Sequence, residues 1–92
     1  MNYYKFLERI NNENIICNIY YVKSNSNYDI VKENILKIIP SLQDYENVNI
    51  DKYYEIGPKQ NFKTSWCTNV LNILKKSNIY CISSIEKHTV YK

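Results

Sequence analysis

The sequence contains no alanine and a single glycine, Gly57. One glycine cannot build the glycine-rich loop that cradles a phosphate, which excludes nucleotide binding of that kind. Histidine occurs once, as His88, and the 3 cysteines, Cys17, Cys67 and Cys81, show no paired spacing. That count and those intervals match neither a disulfide framework nor a zinc site, so no metal is expected. They fit a reducing, cytoplasmic setting. No apolar run approaches the length of a bilayer span. Met1 to Arg9 lacks the apolar core of a signal peptide. Charge is lopsided only slightly, with 12 basic against 9 acidic residues and a net +3. The lysines are scattered, apart from Lys75-Lys76, which reads as solvated surface rather than a nucleic-acid footprint. Neither a nucleic acid nor a membrane is expected as a partner.

What is present is a 92-residue chain, 45% hydrophobic, rich in Asn, Ile, Lys and Tyr. Such a bias follows AT-rich codons and says little about function. The length suits one domain that buries roughly 60–65% of its unfolded surface. Ten tyrosines supply much of the apolar material, and each hydroxyl wants a partner when buried. The only glycine and the only tryptophan fall together between Tyr54 and Asn69.

Periodicity organises the chain. Tyr3, Phe6, Leu7 and Ile10 sit at helical spacing and predict a short helix over about Asn2 to Asn12. The β-branched and aromatic run Ile15 to Val22 predicts a buried strand. Ser24 to Asn27 is a polar loop able to cap a helix from Asp29 to Ile39, whose apolar side is Val31, Ile35, Ile38 and Ile39. Pro40 is expected to end it. Gln43 to Asn49 reads as loop and Ile50 to Ile56 as a strand. Gly57-Pro58 stops that strand through glycine's φ freedom and proline's missing N–H. Thr64 or Ser65 then caps a third helix, with Trp66, Cys67, Val70, Leu71, Ile73 and Leu74 as apolar positions and Ser77-Asn78 as its close. Ile82 to Tyr91 is the last strand. The expected class is α+β, with about three strands backed by two to three helices.

Chemistry-bearing groups are sparse. Cys67 near a helix N-terminus and His88 suggest a thiolate–imidazole pair, but the helical pattern turns Cys67 toward the core, and a structural cysteine is favoured. An exposed strand position is favoured for His88. Glu55 and Glu86 are candidate paired carboxylates with no spacing that specifies them. Lys63-Thr64-Ser65 opens a helix, where N–H groups bind anions, yet ordinary capping needs the same hydroxyls. No catalytic residue is assigned.

The run Glu55-Ile56-Gly57-Pro58-Lys59-Gln60-Asn61-Phe62-Lys63-Thr64-Ser65-Trp66-Cys67-Thr68-Asn69 resembles a motif near the N-terminus of phosphoribosylformylglycinamidine synthases, the large purine-biosynthesis amidotransferases. Ile85-Glu86-Lys87-His88-Thr89-Val90-Tyr91 is similar to the strand that follows that motif in the family. The strong likeness covers residues 54–91, and the first half is similar in pattern more than in identity. Gly57, Pro58, Asn61, Phe62, Thr64, Trp66, Thr68 and Asn69 match the motif. Lys59 stands where the family has arginine, losing a planar bidentate fork, and Cys67 stands where it has serine.

The resemblance implies that residues 1–92 are one N-terminal-type domain that packs between synthetase and glutaminase regions and helps hold them together. It implies no cofactor in this chain, ATP and magnesium belonging to the absent catalytic regions, and no activity for the fragment alone. The partners it implies are those two regions. An exposed sheet edge or tyrosine face is also compatible with a homodimer. The rival is a free-standing interaction module of the same fold. A small cysteine hydrolase using Cys67 and His88 is a weaker third.

Overall fold

The fold was obtained as a computed structural model, which describes residues 1–47, 53–58 and 64–92. Its elements run β1 (Asn2–Arg9), β2 (Ile15–Ser24), α1 (Tyr28–Leu36), β3 (Gln43–Asp44), β4 (Tyr54–Ile56), α2 (Ser65–Lys76) and β5 (Ile82–Tyr91). The strands form one antiparallel sheet in the order β3-β1-β2-β5-β4. The class is therefore α+β, with five strands rather than about three, and two helices, among the described residues.

The expected first helix is a strand. Phe6 and Leu7 are both fully buried, but on opposite faces of the sheet. Successive strand side chains alternate between faces, so adjacent buried residues mean that both faces are covered at that point. β1 pairs along its whole length with β2, from Asn2 opposite Ser24 to Arg9 opposite Cys17. Gln43 and Asp44, expected in a loop, form the two-residue edge strand beside Leu7 and Phe6. Of the other expected loop and strand residues, 48–52 lie outside the described residues.

Both helices pack on one face. Phe6, Tyr20, Val22 and Ile85 from the sheet meet Val31 and Ile35 of α1 and Cys67, Val70, Leu71 and Leu74 of α2. Asn27 caps α1, its side chain accepting from the Ile30 N–H at 3.0 Å. The helix ends at Leu36, short of the expected Ile39, and the turn after it tightens, the Ile38 N–H bonding the Ile35 carbonyl three residues back at 2.9 Å. After α2, Asn78 takes a left-handed φ of 62° and the Ile79 N–H returns to the Leu74 carbonyl at 2.9 Å. That is the usual device for closing a helix, and asparagine tolerates it. Ile73, expected on the apolar side, is 50% exposed, because it lies off the stripe formed by Cys67, Val70, Leu71 and Leu74.

A second, smaller core lies on the opposite face. Leu7, Cys17, Ile19 and Val90 are fully buried there, with Tyr21, Tyr45 and Tyr53 packed against them. Burial pushes the Cys17 thiol up from its ordinary pKa, and the Glu55 charge adds to that against the opposing charge of Arg9. Among the described residues, no helix is long and apolar enough to cross a membrane.

Candidate functional site

Three consecutive residues of β5 hold three parts of the 54–69 segment. β4 pairs only with Thr89 to Tyr91, so Glu86 stands on a stretch of β5 whose outer edge β4 leaves open. Its carboxylate receives the Thr64 hydroxyl at 3.0 Å and the Thr64 N–H at 3.4 Å. Thr64 in turn caps α2, its Oγ1 accepting from the Cys67 N–H at 3.1 Å. α2 has no acidic residue in its first turn, so Glu86 supplies the negative charge that the positive end of the helix dipole favours.

Lys87 projects to the helix side. Its Nζ lies 5.3 Å from the centre of the Trp66 ring, and that ring stacks on Tyr20 with centroids 5.9 Å apart. Tyr20 donates to Glu8 at 2.7 Å, and burial followed by the Glu8 carboxylate holds its hydroxyl protonated far above the ordinary range.

His88 faces the other way. Its Nδ1 is 2.7 Å from Glu55 Oε2, with side chains only 21% and 26% exposed. Tyr21 donates to both Glu55 oxygens at 3.2 and 3.0 Å and packs its ring 4.6 Å from the imidazole. Burial, then the hydrogen bond to Glu55, pushes the Tyr21 hydroxyl up. Gly57 closes this cluster. A Cβ built on it would sit 2.6 Å from His88 Nε2 and closer still to Cγ and Cδ2. The glycine is not at positive φ, so the expected reason for it is corrected: the position needs a missing side chain rather than backbone freedom.

The remaining sequence candidates are placed as follows. Pro58 is half-buried beside Gly57. Lys59, Asn61, Phe62 and Lys63 lie outside the described residues. Thr68 and Asn69 are exposed on α2, the Thr68 hydroxyl donating back to the Thr64 carbonyl at 3.2 Å. Cys67 is fully buried in the helix-side core, whereas His88 stands on the other face with Glu55 and Tyr21, so the two are not brought together as a catalytic pair. Glu55 and Glu86 are likewise engaged separately, one by His88 and Tyr21 and the other by Thr64. The anion site suggested at the start of α2 is filled by Glu86 itself. His88 is half-buried rather than exposed.

Sequence reasoning missed Tyr21 as a partner of Glu55 and His88. Their separation of over thirty residues leaves no local signal, and only the β2–β5 register brings Tyr21 opposite Glu86 and next to His88. Among the described residues, no group of three or more His, Cys, Asp or Glu side chains is arranged to hold a metal. No family model, no curated protein and no solved structure matches this chain.

Proposed function

We propose that this chain is the N-terminal docking domain of a phosphoribosylformylglycinamidine synthase, the enzyme that uses ATP and glutamine to amidate formylglycinamide ribonucleotide. Its task is to hold the synthetase and glutaminase regions together so that ammonia released in one reaches the other. The observation that carries this reading is the union of the two resembling stretches. Residues 54–69 and 85–91 are separated by residues 70–84, yet Glu86 grips Thr64, Lys87 covers Trp66 and His88 seats Gly57. Positions that give the resemblance its specificity thus depend on one another physically. Such interdependence is what a motif of packing residues requires, and it supports a role for Gly57, Thr64 and Trp66 in building the domain.

The test mixes the purified 92 residues with the separately expressed remainder of such an amidotransferase. The expected result is a stable complex on size-exclusion chromatography, and no glutaminase or ATPase turnover by the 92-residue chain alone. Absence of a complex, or real turnover by the isolated chain, overturns the proposal.

A further inference from the structure

The helices cover one face of the sheet, and Tyr45 and Tyr53 cover the Leu7 end of the other. Among the described residues, the opposite end of that second face is uncovered, and its side chains form a checkerboard. Tyr3 of β1 pairs across with Lys23 of β2, and Lys5 of β1 pairs across with Tyr21 of β2. Lysine and tyrosine therefore alternate both along each strand and between strands. Lys23 Nζ lies 5.8 Å from the centre of the Tyr3 ring. Lys5 Nζ lies 5.5 Å from that of Tyr21 and 5.1 Å from that of Tyr45. Tyr3 is 74% exposed.

Among the described residues, the carboxylates Glu55 and Glu86 of this face are already engaged, Glu55 by His88 and Tyr21 and Glu86 by Thr64. Among the described residues, neither Lys5 nor Lys23 has an ion-pair partner. Lysines scattered in sequence are thus gathered by the β1–β2 register into a positively charged, tyrosine-lined patch. Resting on the docking role proposed above, we infer that this patch is the surface that meets the rest of the amidotransferase, and that the surface it meets carries carboxylates. Tyrosine is enriched in protein interfaces, where its ring packs and its hydroxyl bonds, and opposed charges supply orientation and speed of encounter. A single-stranded nucleic acid fits less well. Two lysines neutralise too few phosphates for the charge-driven binding of such ligands, and the rings carry ammonium groups where bases would stack.

The experiment measures binding of the full 92-residue chain to the remainder of the amidotransferase by calorimetry at two salt concentrations. Reversing both charges, Lys5→Glu with Lys23→Glu, is expected to weaken binding about tenfold or more and to flatten its salt dependence. Lys75→Glu with Lys76→Glu makes the same change in net charge on the helix side and is expected to leave affinity unaltered. Circular dichroism checks that each variant folds, and the milder Lys5→Gln with Lys23→Gln pair is expected to fall between. Wild-type binding that both double reversals weaken equally, or that neither weakens, overturns the patch while sparing the docking role. No wild-type binding overturns both. Tight binding of a single-stranded RNA decamer that depends on Lys5 and Lys23 overturns the inference in favour of the other class of partner.

Discussion

The lone glycine shows how a single residue can be fixed by what it leaves out. Gly57 has no special φ, but the His88 ring lies where its Cβ would be. The ring cannot swing aside freely, since Glu55 holds Nδ1 and Tyr21 packs on it. Gly57→Ala should therefore cost about 1–3 kcal/mol, the usual range for overpacking, and should raise hydrogen exchange at the amides of β4. Urea unfolding and exchange mass spectrometry read the two effects. The cost should largely vanish in a His88→Ala background, a coupling that a double-mutant cycle isolates. An undiminished cost there shows that something other than the ring fills the space. The sequence displayed the rarity of Gly57 and the turn beside it, but not the reason for it. Its partner is 31 positions away, and the contact exists only once β4 has paired with β5.

Helix α2 and strand β1 show which elements can be read from pattern and which cannot. α2 faces solvent on one side and the core on the other, so its apolar stripe apart from Ile73, a cap at Thr64 or Ser65, and its Ser77-Asn78 close were legible. β5 was legible to the residue, from Ile82 to Tyr91. β1 was not, because Phe6 and Leu7 enter two different cores. Two buried neighbours erase the period of two and imitate the helical spacing of Tyr3, Phe6, Leu7 and Ile10. The two residues of β3 are too few to show any period. The cap of α2 gives a prediction at this scale. Thr64 satisfies the Cys67 N–H and anchors on Glu86 at once. Thr64→Ala should cost about 1–2 kcal/mol, toward the upper end for an N-cap, whereas Thr64→Ser should cost much less because its hydroxyl can make both bonds. Urea midpoints of the two variants decide it, and equal losses would show that the threonine methyl matters more than the cap.

Across the whole molecule, two carboxylates tie elements together in addition to the cores. Glu8 of β1 receives Asn18 and Tyr20 of β2 at 3.1 and 2.7 Å, together with the Ser41 hydroxyl from the loop after α1. Asp44 of β3 receives Lys32 at 2.7 Å and the Tyr28 hydroxyl, both from α1. Burial alone raises the pKa of Glu8, but the hydrogen bonds from Ser41, Tyr20 and Asn18 and the charge of Lys87 outweigh it, leaving the group below its ordinary 4.5. The bonds from Lys32 and Tyr28 hold Asp44 below its ordinary 3.8. A carboxyl whose pKa is lower in the folded state binds its proton more readily when unfolded, so stability falls as pH falls. The contribution is fully present above the ordinary values and is lost as pH drops through the lowered ones. Urea midpoints should thus hold steady from about pH 7 to about pH 5 and decline toward about pH 3. Glu8→Gln combined with Asp44→Asn should start lower at neutral pH and lose less on acidification, because the proton-linked part is gone from both states. Beside Tyr20 and Tyr21, Tyr28 supplies part of the opposite limb. Burial and then the bond to Asp44 push its hydroxyl up to about 12, so its contribution is present below its ordinary 10 and is lost as pH rises through the raised value. Tyr28→Phe should shrink the alkaline limb without abolishing it, because Tyr20 and Tyr21 are raised as well, and should leave most of the acid limb in place, since Glu8 is untouched and Lys32 still holds Asp44. An acid decline that survives unchanged in the Glu8, Asp44 double variant would move the acid-sensitive fastening to other carboxylates.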